Sequence, residues 1–311
     1  MAKIYIPYLN PLSYTDEAFV SDQLYASKHF DDVPYIDTIK PWQQKVDFVR
    51  VWWYKDVIRQ QLISGISPVV IELVNGDNTS VVYATQNFQP KLQNKLVAGE
   101  FINEHDWDLN GATPGYYRFR LKFGTPVQKS LISEKFIVSE NIENTLLLQY
   151  GHHENRGDII FETGFEPNVR INGSLRLKEI LSVDTTYVDQ RLNAEMIKSD
   201  PYCTWDLVLN DEWGIPEPLA IKLNWIIGCS KLMIDGKLYT KSDGAKMESS
   251  VIERYPLRSY KIEVRDKLNR SSKVLVTEGD PNMKIMIAAT SDSKGFGMDT
   301  GGNQSQIISL E

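Results

Sequence analysis

The stretch Tyr117-Arg118-Phe119-Arg120-Leu121-Lys122-Phe123 alternates between large apolar and basic side chains. Successive side chains on a β-strand point to opposite faces of the sheet, so this period of two predicts a strand with its apolar face on a core. The basic face is expected to lie in water. A similar alternation of apolar and polar side chains recurs at residues 203–209 and 260–265. These segments predict a mainly β protein, and the aromatic content of 11% points the same way, since aromatic residues favour strands.

Two short loops predict β-hairpins. Asp235-Gly236 separates two short apolar segments, and a two-residue Asp-Gly loop favours a turn with Gly236 at positive φ. In Asn75-Gly76-Asp77-Asn78, the Asn-Gly pair is expected to supply the positive φ of a second hairpin. The flanking strands are Lys231–Ile234 with Lys237–Lys241, and residues 69–74 with 80–85. Residues 46–54, apolar at successive positions, predict a strand covered on both sides.

Helix is predicted mainly at residues 215–228. Pro216 and Glu217 suit a first helical turn, and Gly228 can end the helix. Its apolar side chains cover a broad surface that should lie against a sheet; they are Leu219, Leu223, Ile226 and Ile227, with Ile221 and Trp225 beside them. A shorter second helix is predicted at residues 187–197.

The predicted fold class is mainly β, with two β-sandwich-like domains, the second carrying one packed α-helix at about 215–228. Residues 1–139 form the N-terminal domain and residues 145–269 the C-terminal domain, separated by a polar linker. Residues 270–311 are predicted to be an extended C-terminal tail, because residues 291–305 are rich in Gly, Ser and Asp and can bury little apolar area alone. We expect both extremities of the chain, roughly 1–11 and 278–311, to be interface arms.

Charge and composition exclude several classes of function. The net charge of −7 comes without a basic stripe, which argues against nucleic-acid binding and against docking on anionic membranes. No apolar run approaches the ~20 residues of a membrane helix. The N-terminus does not read as a signal peptide, so we expect a protein made and kept in a cytosol. Cys203 and Cys229 are expected to be two buried thiols, with one disulfide between them as the alternative.

Signatures of catalysis are missing from the sequence, so no enzyme activity, catalytic residue or cofactor is expected. Two clusters could ligate a metal, His152-His153-Glu154 and residues 104–108 (EHDWD), but a strand end and a solvated loop explain them better, and no metal is predicted. Arg156-Gly157-Asp158 spells an adhesion tripeptide and is interpreted as a turn.

Aromatic and apolar residues near the surface provide the candidate sites. Trp107 and Trp213 lie in polar segments and are expected to be exposed or at an interface, whereas Trp52 and Trp53 are expected in the core. Near the N-terminus an apolar patch split by Pro7 suits an edge strand or an arm; its members are Ile4, Tyr5, Ile6 and Tyr8. Exposed aromatic rings could instead stack on sugars, so a carbohydrate-binding or adhesion module remains the alternative.

The second half of the chain resembles uncharacterised structural proteins encoded in the tail gene clusters of tailed phages and prophages. The resemblance covers roughly residues 130–270, and no family motif is recognisable in the first 130 residues. It rests on the order of five segments: Tyr187-Val188-Asp189-Gln190, Gly214-Ile215-Pro216, residues 234–241 (IDGKLYTK), Tyr255-Pro256-Leu257 and residues 260–265.

The resemblance implies a virion component that assembles as a homo-oligomeric ring around the tail axis. Distal tail and baseplate-hub proteins are its nearest analogues, with a β-rich ring domain followed by a β-sandwich. The partners would be other copies of the chain and neighbouring tail proteins, and the chain would be located in the virion after assembly in the host cytoplasm.

Overall fold

A computed structural model describes residues 4–17, 48–65, 68–76, 81–93, 99–124, 129–188, 192, 194–210, 214–251 and 257–266, together with two short strands near the C-terminus. In this described part, strands account for 62% of the residues and helices for 7%, which confirms the mainly β prediction. The chain divides into two compact units, residues 1–267 and 268–311. In the second unit, strands Phe296–Met298 and Ile307–Ser309 pair antiparallel.

The first half of the larger unit is a sandwich of two sheets. One sheet has the order β1-β4-β8-β7; the other has the order β2-β10-β9-β11-β3, with β5 and then β6 on the opposite side of β9. The strands are β1 (Ile4–Tyr5), β2 (Tyr14–Asp16), β3 (Arg50–Trp53), β4 (Val57–Ser64), β5 (Val70–Asn75), β6 (Val82–Asn87), β7 (Gln89–Gln93), β8 (Phe101–Asp108), β9 (Gly115–Phe123), β10 (Lys129–Ser133) and β11 (Phe136–Ser139).

The core of the sandwich lies between these two sheets. β4 contributes Ile58 and Leu62, and the facing sheet contributes Phe119 and Phe136, all buried. The rings of Trp107 on β8 and Phe119 on β9 meet edge to face across the core, with centroids 5.1 Å apart. The alternation at residues 117–123 therefore does place its apolar face in a core, as predicted.

The second half is a seven-stranded sheet that closes on itself. Its order is β14-β13-β12-β15-β16-β18-β17, and β14 also pairs with β18, so six strands form a complete circuit. We call it the closed sheet. The strands are β12 (Thr145–Gly151), β13 (Asn168–Val188), β14 (Ala194–Leu209), β15 (Lys231–Ile234), β16 (Lys237–Lys241), β17 (Glu248–Val251) and β18 (Arg258–Asp266).

Helix α1 (Glu217–Ile227) packs its apolar side on the closed sheet, which confirms the helix predicted at 215–228. Pro216 precedes its first turn, and the N–H of Gly228 donates to the carbonyl oxygen of Asn224 at its end. Ile226 and Ile227 are fully buried in the same core as Leu148 of β12 and Leu207 of β14.

Leu9, from the N-terminal segment, also belongs to the core of the closed sheet and is fully buried. Its N–H donates to the carbonyl oxygen of Gly157 at 3.2 Å, and the Tyr150 hydroxyl donates to the carbonyl oxygen of Leu9. Residues 4–11 were expected to form part of an interface arm. That expectation is wrong for Leu9, because the closed sheet of the same chain covers its side chain.

A buried polar joint connects the two halves. The Arg170 guanidinium donates to both carboxylate oxygens of Asp56, at 2.6 and 2.8 Å, and both side chains are almost inaccessible to water. The Gln61 side-chain amide bonds the backbone N–H and carbonyl of Ile160 at 2.8 and 3.0 Å. The division at 1–139 and 145–269 stays a prediction; the structure places both halves in one compact unit.

Both predicted hairpins are present, but only one has the predicted turn geometry. Asp235 and Gly236 have φ values of 47° and 78°, as a two-residue primed turn requires. β5 and β6 pair as predicted, whereas Gly76 does not adopt a positive φ. A Cβ on Gly76 would lie 2.8 Å from Cβ of Tyr116, so close approach of two backbones explains this glycine; residues 77–80 lie outside the described residues.

The basic side chains of β9 correct the expectation of a face in water. Arg118 and Arg120 are buried, because neighbouring strands supply their hydrogen-bond acceptors. Arg118 donates to the carbonyl oxygens of Gly76 and Ser133, both at 3.1 Å, and Arg120 pairs with Glu72. A strand at the centre of a sheet can keep charged residues in the protein when each N–H group finds an acceptor.

Three further predictions have mixed outcomes. The helix predicted at 187–197 is wrong, since residues 187–188 belong to β13 and residues 194–197 to β14. Of the strand predicted at 46–54, residues 46–47 lie outside the described residues; the strand spans Arg50–Trp53, and its even-numbered residues are the buried ones. Cys203 and Cys229 are buried thiols that form no disulfide with each other, and burial raises the pKa of Cys229 to about 11.

Candidate functional site

The most conspicuous surface feature is the outer part of the β13–β14 hairpin. β12 pairs with β13 only through residue 172, and β18 pairs with β14 only from residue 204. Residues 180–188 and 194–203 therefore pair only with each other in the described part of the chain. We call them the hairpin arm. Ten residues of strand at about 3.3 Å each give the arm a length of about 33 Å.

Both faces of the hairpin arm expose apolar side chains. Even-numbered residues of β13 point to one face and odd-numbered residues to the other. Ile180 and Val188 lie on the first face, with exposed fractions of 71% and 53%. Val183 and Tyr187 lie on the second, at 58% and 55%. Ser182 and Asp184, which are hydrogen-bonded to each other, lie between the apolar residues of the first face, so the apolar surface is interrupted there. Isolated exposed apolar residues are common on protein surfaces, but several of them on both faces of one hairpin favour an interaction surface.

Contacts at its base hold the arm against the closed sheet. The Lys178 ammonium pairs with the Glu263 carboxylate on β18, which raises the pKa of Lys178 and lowers that of Glu263. The Arg265 guanidinium lies over the Tyr202 ring, 5.0 Å from its centroid. An irregularity in the pairing between Leu177 and Glu179 marks where the arm begins. The arm therefore emerges from an ordered part of the fold.

The apolar patch near the N-terminus is divided between core and surface. Ile4 and Ile6 are partly buried against the core of the sandwich, and β1 pairs with β4 as an edge strand, as the sequence suggested. Tyr5 and Tyr8 remain 48% and 40% exposed. Asp158 and burial raise the pKa of Tyr5, to about 12, with burial as the larger effect. A role for these residues at an interface stays a prediction.

The two tryptophan candidates have different outcomes. Trp107 is only 2% exposed and packs between His105 and Phe119, so the expectation of an exposed or interfacial residue is wrong. Asp106 and Asp108 on either side of it point outward, which gives the segment its polar sequence although Trp107 faces the core. Trp213 lies outside the described residues.

The first metal candidate, residues 104–108, is held by protein contacts. The Glu104 carboxylate accepts hydrogen bonds from the Gln61 amide and the Thr163 hydroxyl, and Asp106 lies 3.6 Å from Arg59. His105 lies among Phe88 and Trp107, and burial lowers its pKa. In the described ranges, no three His, Cys, Asp or Glu side chains are grouped as metal ligands would be.

The second metal candidate is a surface strand end. Nδ1 of His152 accepts the backbone N–H of Ser230 at 2.9 Å, and His153 lies 3.8 Å from Glu154. Burial and the neighbouring His153 lower the pKa of His152. One ring nitrogen of His152 is thus already occupied by a backbone hydrogen bond.

The adhesion tripeptide forms a turn, as interpreted from the sequence. Gly157 and Asp158 have φ values of 54° and 68°, and the residues before and after them form a backbone bridge. The Arg156 guanidinium donates to the carbonyl oxygen of Gly228 at 2.8 Å, so it helps to hold the end of α1.

A polar cleft lies beside the joint between the two halves. It has a volume of about 620 Å³, and its polar lining residues include Arg59, Gln89, Lys91, Asp106 and Glu166. Phe165 contributes a phenyl ring to the lining, but this side chain is only 6% exposed. The cleft offers hydrogen bonds to a polar ligand but little aromatic surface for stacking on a sugar ring.

Two features of the structure were not recognised in the sequence. The hairpin arm contains a run of β-formers, Val183, Thr185, Thr186, Tyr187 and Val188, which could have predicted a strand in place of the helix. Lys222, on the apolar side of α1, is buried, and its position in the helical period could have singled it out.

The part of the chain that the structure describes holds no helix long and apolar enough to cross a membrane. Comparison of the chain with protein-family models, with curated proteins and with solved structures found no match.

Proposed function

We propose that this chain is a structural virion component of a phage tail, a ring-forming tail or baseplate protein that acts through protein–protein assembly. The observation that carries the proposal is the hairpin arm, which exposes apolar side chains on both faces. An isolated two-stranded hairpin is at best marginally stable in water. Packing between copies would bury both faces and stabilise the arm.

The backbone of the hairpin arm supports assembly as well. Its outer edges carry N–H and C=O groups without strand partners in the described part of the chain, and such edges readily pair with another chain. The closed sheet beneath it supplies a rigid base, since six of its strands complete a circuit. A repeated head-to-tail contact that closes by rotation generates a ring.

The resemblance of residues 130–270 to tail-cluster proteins supplies the biological setting of the proposal. Tyr187 and Val188, the first two residues of one segment that carries this resemblance, lie in the hairpin arm. The chain would then act without catalysis or cofactor, with other copies and neighbouring tail proteins as partners, and would assemble in the host cytoplasm before residing in the virion.

Deleting the hairpin arm tests the proposal. Leu177 and Trp205 are cross-strand partners, so an Asn-Gly turn replacing residues 178–204 closes a shorter hairpin at the base. We expect the full chain to form a closed ring by light scattering and negative-stain microscopy. The shortened chain should keep its β circular-dichroism spectrum and remain a monomer.

Point variants locate the contact and provide a matched control. Ile180→Lys and Val183→Lys introduce a charge on opposite faces of the arm, and at least one of them should abolish the ring. Ile221→Lys places the same charge at a position on α1 that is 50% exposed, outside the arm, and should leave the ring intact. A full chain that is monomeric at all concentrations, or a shortened chain that still forms the ring, contradicts the proposal.

The polar cleft favours carbohydrate binding as a second candidate function. Amide, carboxylate and basic side chains line it, including Gln89, Asp106 and Lys91. A monomeric chain that binds a glycan array, and loses this binding on Gln89→Ala while keeping its melting temperature, would support the binding module over the ring.

A further inference from the structure

Lys222 is buried on a helix that exposes apolar residues. Its exposed fraction is 4%, whereas its neighbours Ile221 and Trp225 are 50% and 44% exposed. Lysine is rarely buried without a partner, and a helix normally places it on the solvent face. α1 therefore keeps an amine inside the protein at a position where an apolar side chain would cost less free energy to bury.

The Lys222 amine contacts an aromatic ring of the N-terminal segment. Its Nζ lies 5.9 Å from the centroid of the Tyr8 ring. Arg50 and Glu134, which form a buried ion pair at 3.0 Å, are the charged groups that act on it. Burial, with a smaller contribution from Arg50, lowers the pKa of Lys222 to about 7, and Glu134 opposes this shift. Near neutral pH, much of this amine is unprotonated and nucleophilic.

A small pocket adjoins this amine. Its volume is about 180 Å³, and Lys222 lines it together with residues of the N-terminal segment and of the first turn of α1. Pro7, Leu12, Pro218 and Leu219 give it apolar walls, and Tyr14, whose pKa burial raises, stays a neutral phenol there. Cavities of about this size accept a molecule as large as benzene.

We propose that Lys222 forms a covalent imine with a small, neutral aliphatic aldehyde held in this pocket. The Nζ lone pair attacks the carbonyl carbon and gives a carbinolamine. Proton transfer from nitrogen to oxygen and loss of one water molecule then form the C=N bond. One amine and one aldehyde thus give one imine and one water, with no change of oxidation state. The apolar walls favour an uncharged chain, and a pocket of this volume fits a short aldehyde more closely than a bulky aromatic one.

Reductive trapping in the full chain tests the proposal. Propanal with cyanoborohydride converts the imine to a stable propyl amine, and peptide mass spectrometry locates it. At pH 7 the deprotonated fraction of an ordinary lysine is about a thousandfold smaller than that of an amine with a pKa near 7. Lys222 should therefore be labelled at least about tenfold faster than the exposed Lys237. The ratio of the Lys222 labelling rate to the Lys237 labelling rate should fall as the pH rises from 7 to 9, because deprotonation of Lys222 is then almost complete while that of Lys237 still increases.

Two controls make the result specific to the pocket. Replacing propanal by naphthaldehyde should reverse the preference, because the larger aldehyde reaches exposed lysines and not Lys222. Lys222→Met should remove the fast labelling and leave that of Lys237 unchanged. The wild-type chain provides the decisive comparison even if the variant fails to fold. The proposal is overturned if Lys222 labels no faster than Lys237 at pH 7, or if both rates rise in parallel with pH.

Discussion

Arg50, Arg118, Arg120 and Arg170 are all buried, and each reaches oxygen acceptors on a different segment of the chain. Such a guanidinium is tolerated when its donors are matched by acceptors. Burial raises the pKa of Glu72, but hydrogen bonds from Lys122 and Arg120 outweigh this and leave it below its ordinary value. The sequence could not identify these pairs, because the partners are far apart in the chain. Asp56 and Arg170, for example, are separated by 114 positions.

Asp56→Asn tests the joint between the two halves. The substitution leaves the buried Arg170 charge without its carboxylate, so the free energy of unfolding should fall by about 3–5 kcal/mol. Urea denaturation followed by tryptophan fluorescence measures this change. Asp106→Asn breaks a more exposed pair with Arg59 and should cost at most about 1 kcal/mol. Equal effects of the two substitutions would contradict a structural role for the joint.

Lys222→Met should stabilise the chain in a pH-dependent way. The folded chain releases the Lys222 proton near pH 7, whereas a lysine in the unfolded chain titrates near 10.5. Between these two pH values the unfolded state binds more protons than the folded state. The contribution of Lys222 to the free energy of unfolding of the wild-type chain therefore rises with pH. The variant should be more stable by roughly 2–5 kcal/mol at pH 7, and its advantage should shrink towards pH 10.

Urea unfolding of both proteins at several pH values measures the effect of Lys222→Met. Lys237→Met, at an exposed position on β16, serves as the control and should show no such trend. An advantage of the Lys222 variant that grows with pH would contradict the expected titration.

Among the elements, the β15–β16 hairpin isolates the effect of turn geometry. A Cβ on Gly236 would meet nothing within 4 Å, so a substitution there tests the positive φ of 78° alone. Gly236→Val should lower stability by roughly 1 kcal/mol or more, because a β-branched residue is strained at positive φ. Gly236→Asn should cost less, since asparagine tolerates this conformation. Thermal melting of the two variants gives the comparison, and identical melting temperatures would argue against the turn.

Local sequence patterns predicted two kinds of element correctly: hairpins, whose two strands are close in sequence, and strands with one buried face. The alternation at 117–123 and 260–265 predicted β9 and β18, and Asp235-Gly236 predicted its hairpin with the correct bounds. The alternation of apolar and polar residues failed as a guide in the hairpin arm. Both faces of the arm are exposed to solvent, so its sequence does not alternate with a period of two. The local pattern failed also for Trp107, whose burial depends on a facing sheet that the local sequence does not specify.

For the whole molecule, the two compact units predict the effect of a C-terminal truncation. Residues 1–267 form one unit, so a chain ending at Lys267 should keep the melting temperature of the full chain to within a few degrees. The predicted tail at 270–311 was proposed as an interface arm, and almost all of it lies outside the described residues. If it is such an arm, the truncated chain should fold normally and assemble less strongly. Loss of cooperative melting would instead make the tail part of the folded core.

The burial of Leu9 in the closed sheet has a consequence for how the protein is made. Leu9 leaves the ribosome early, but its neighbours in that core extend to Val264 on β18, about 250 residues later. At about 5–20 residues per second, synthesis of this stretch takes roughly 10–50 s. During that time the N-terminal segment has no completed core to enter. The first piece of the chain to be synthesised is therefore among the last to reach its final place, and translation itself sets the earliest moment at which the fold can close.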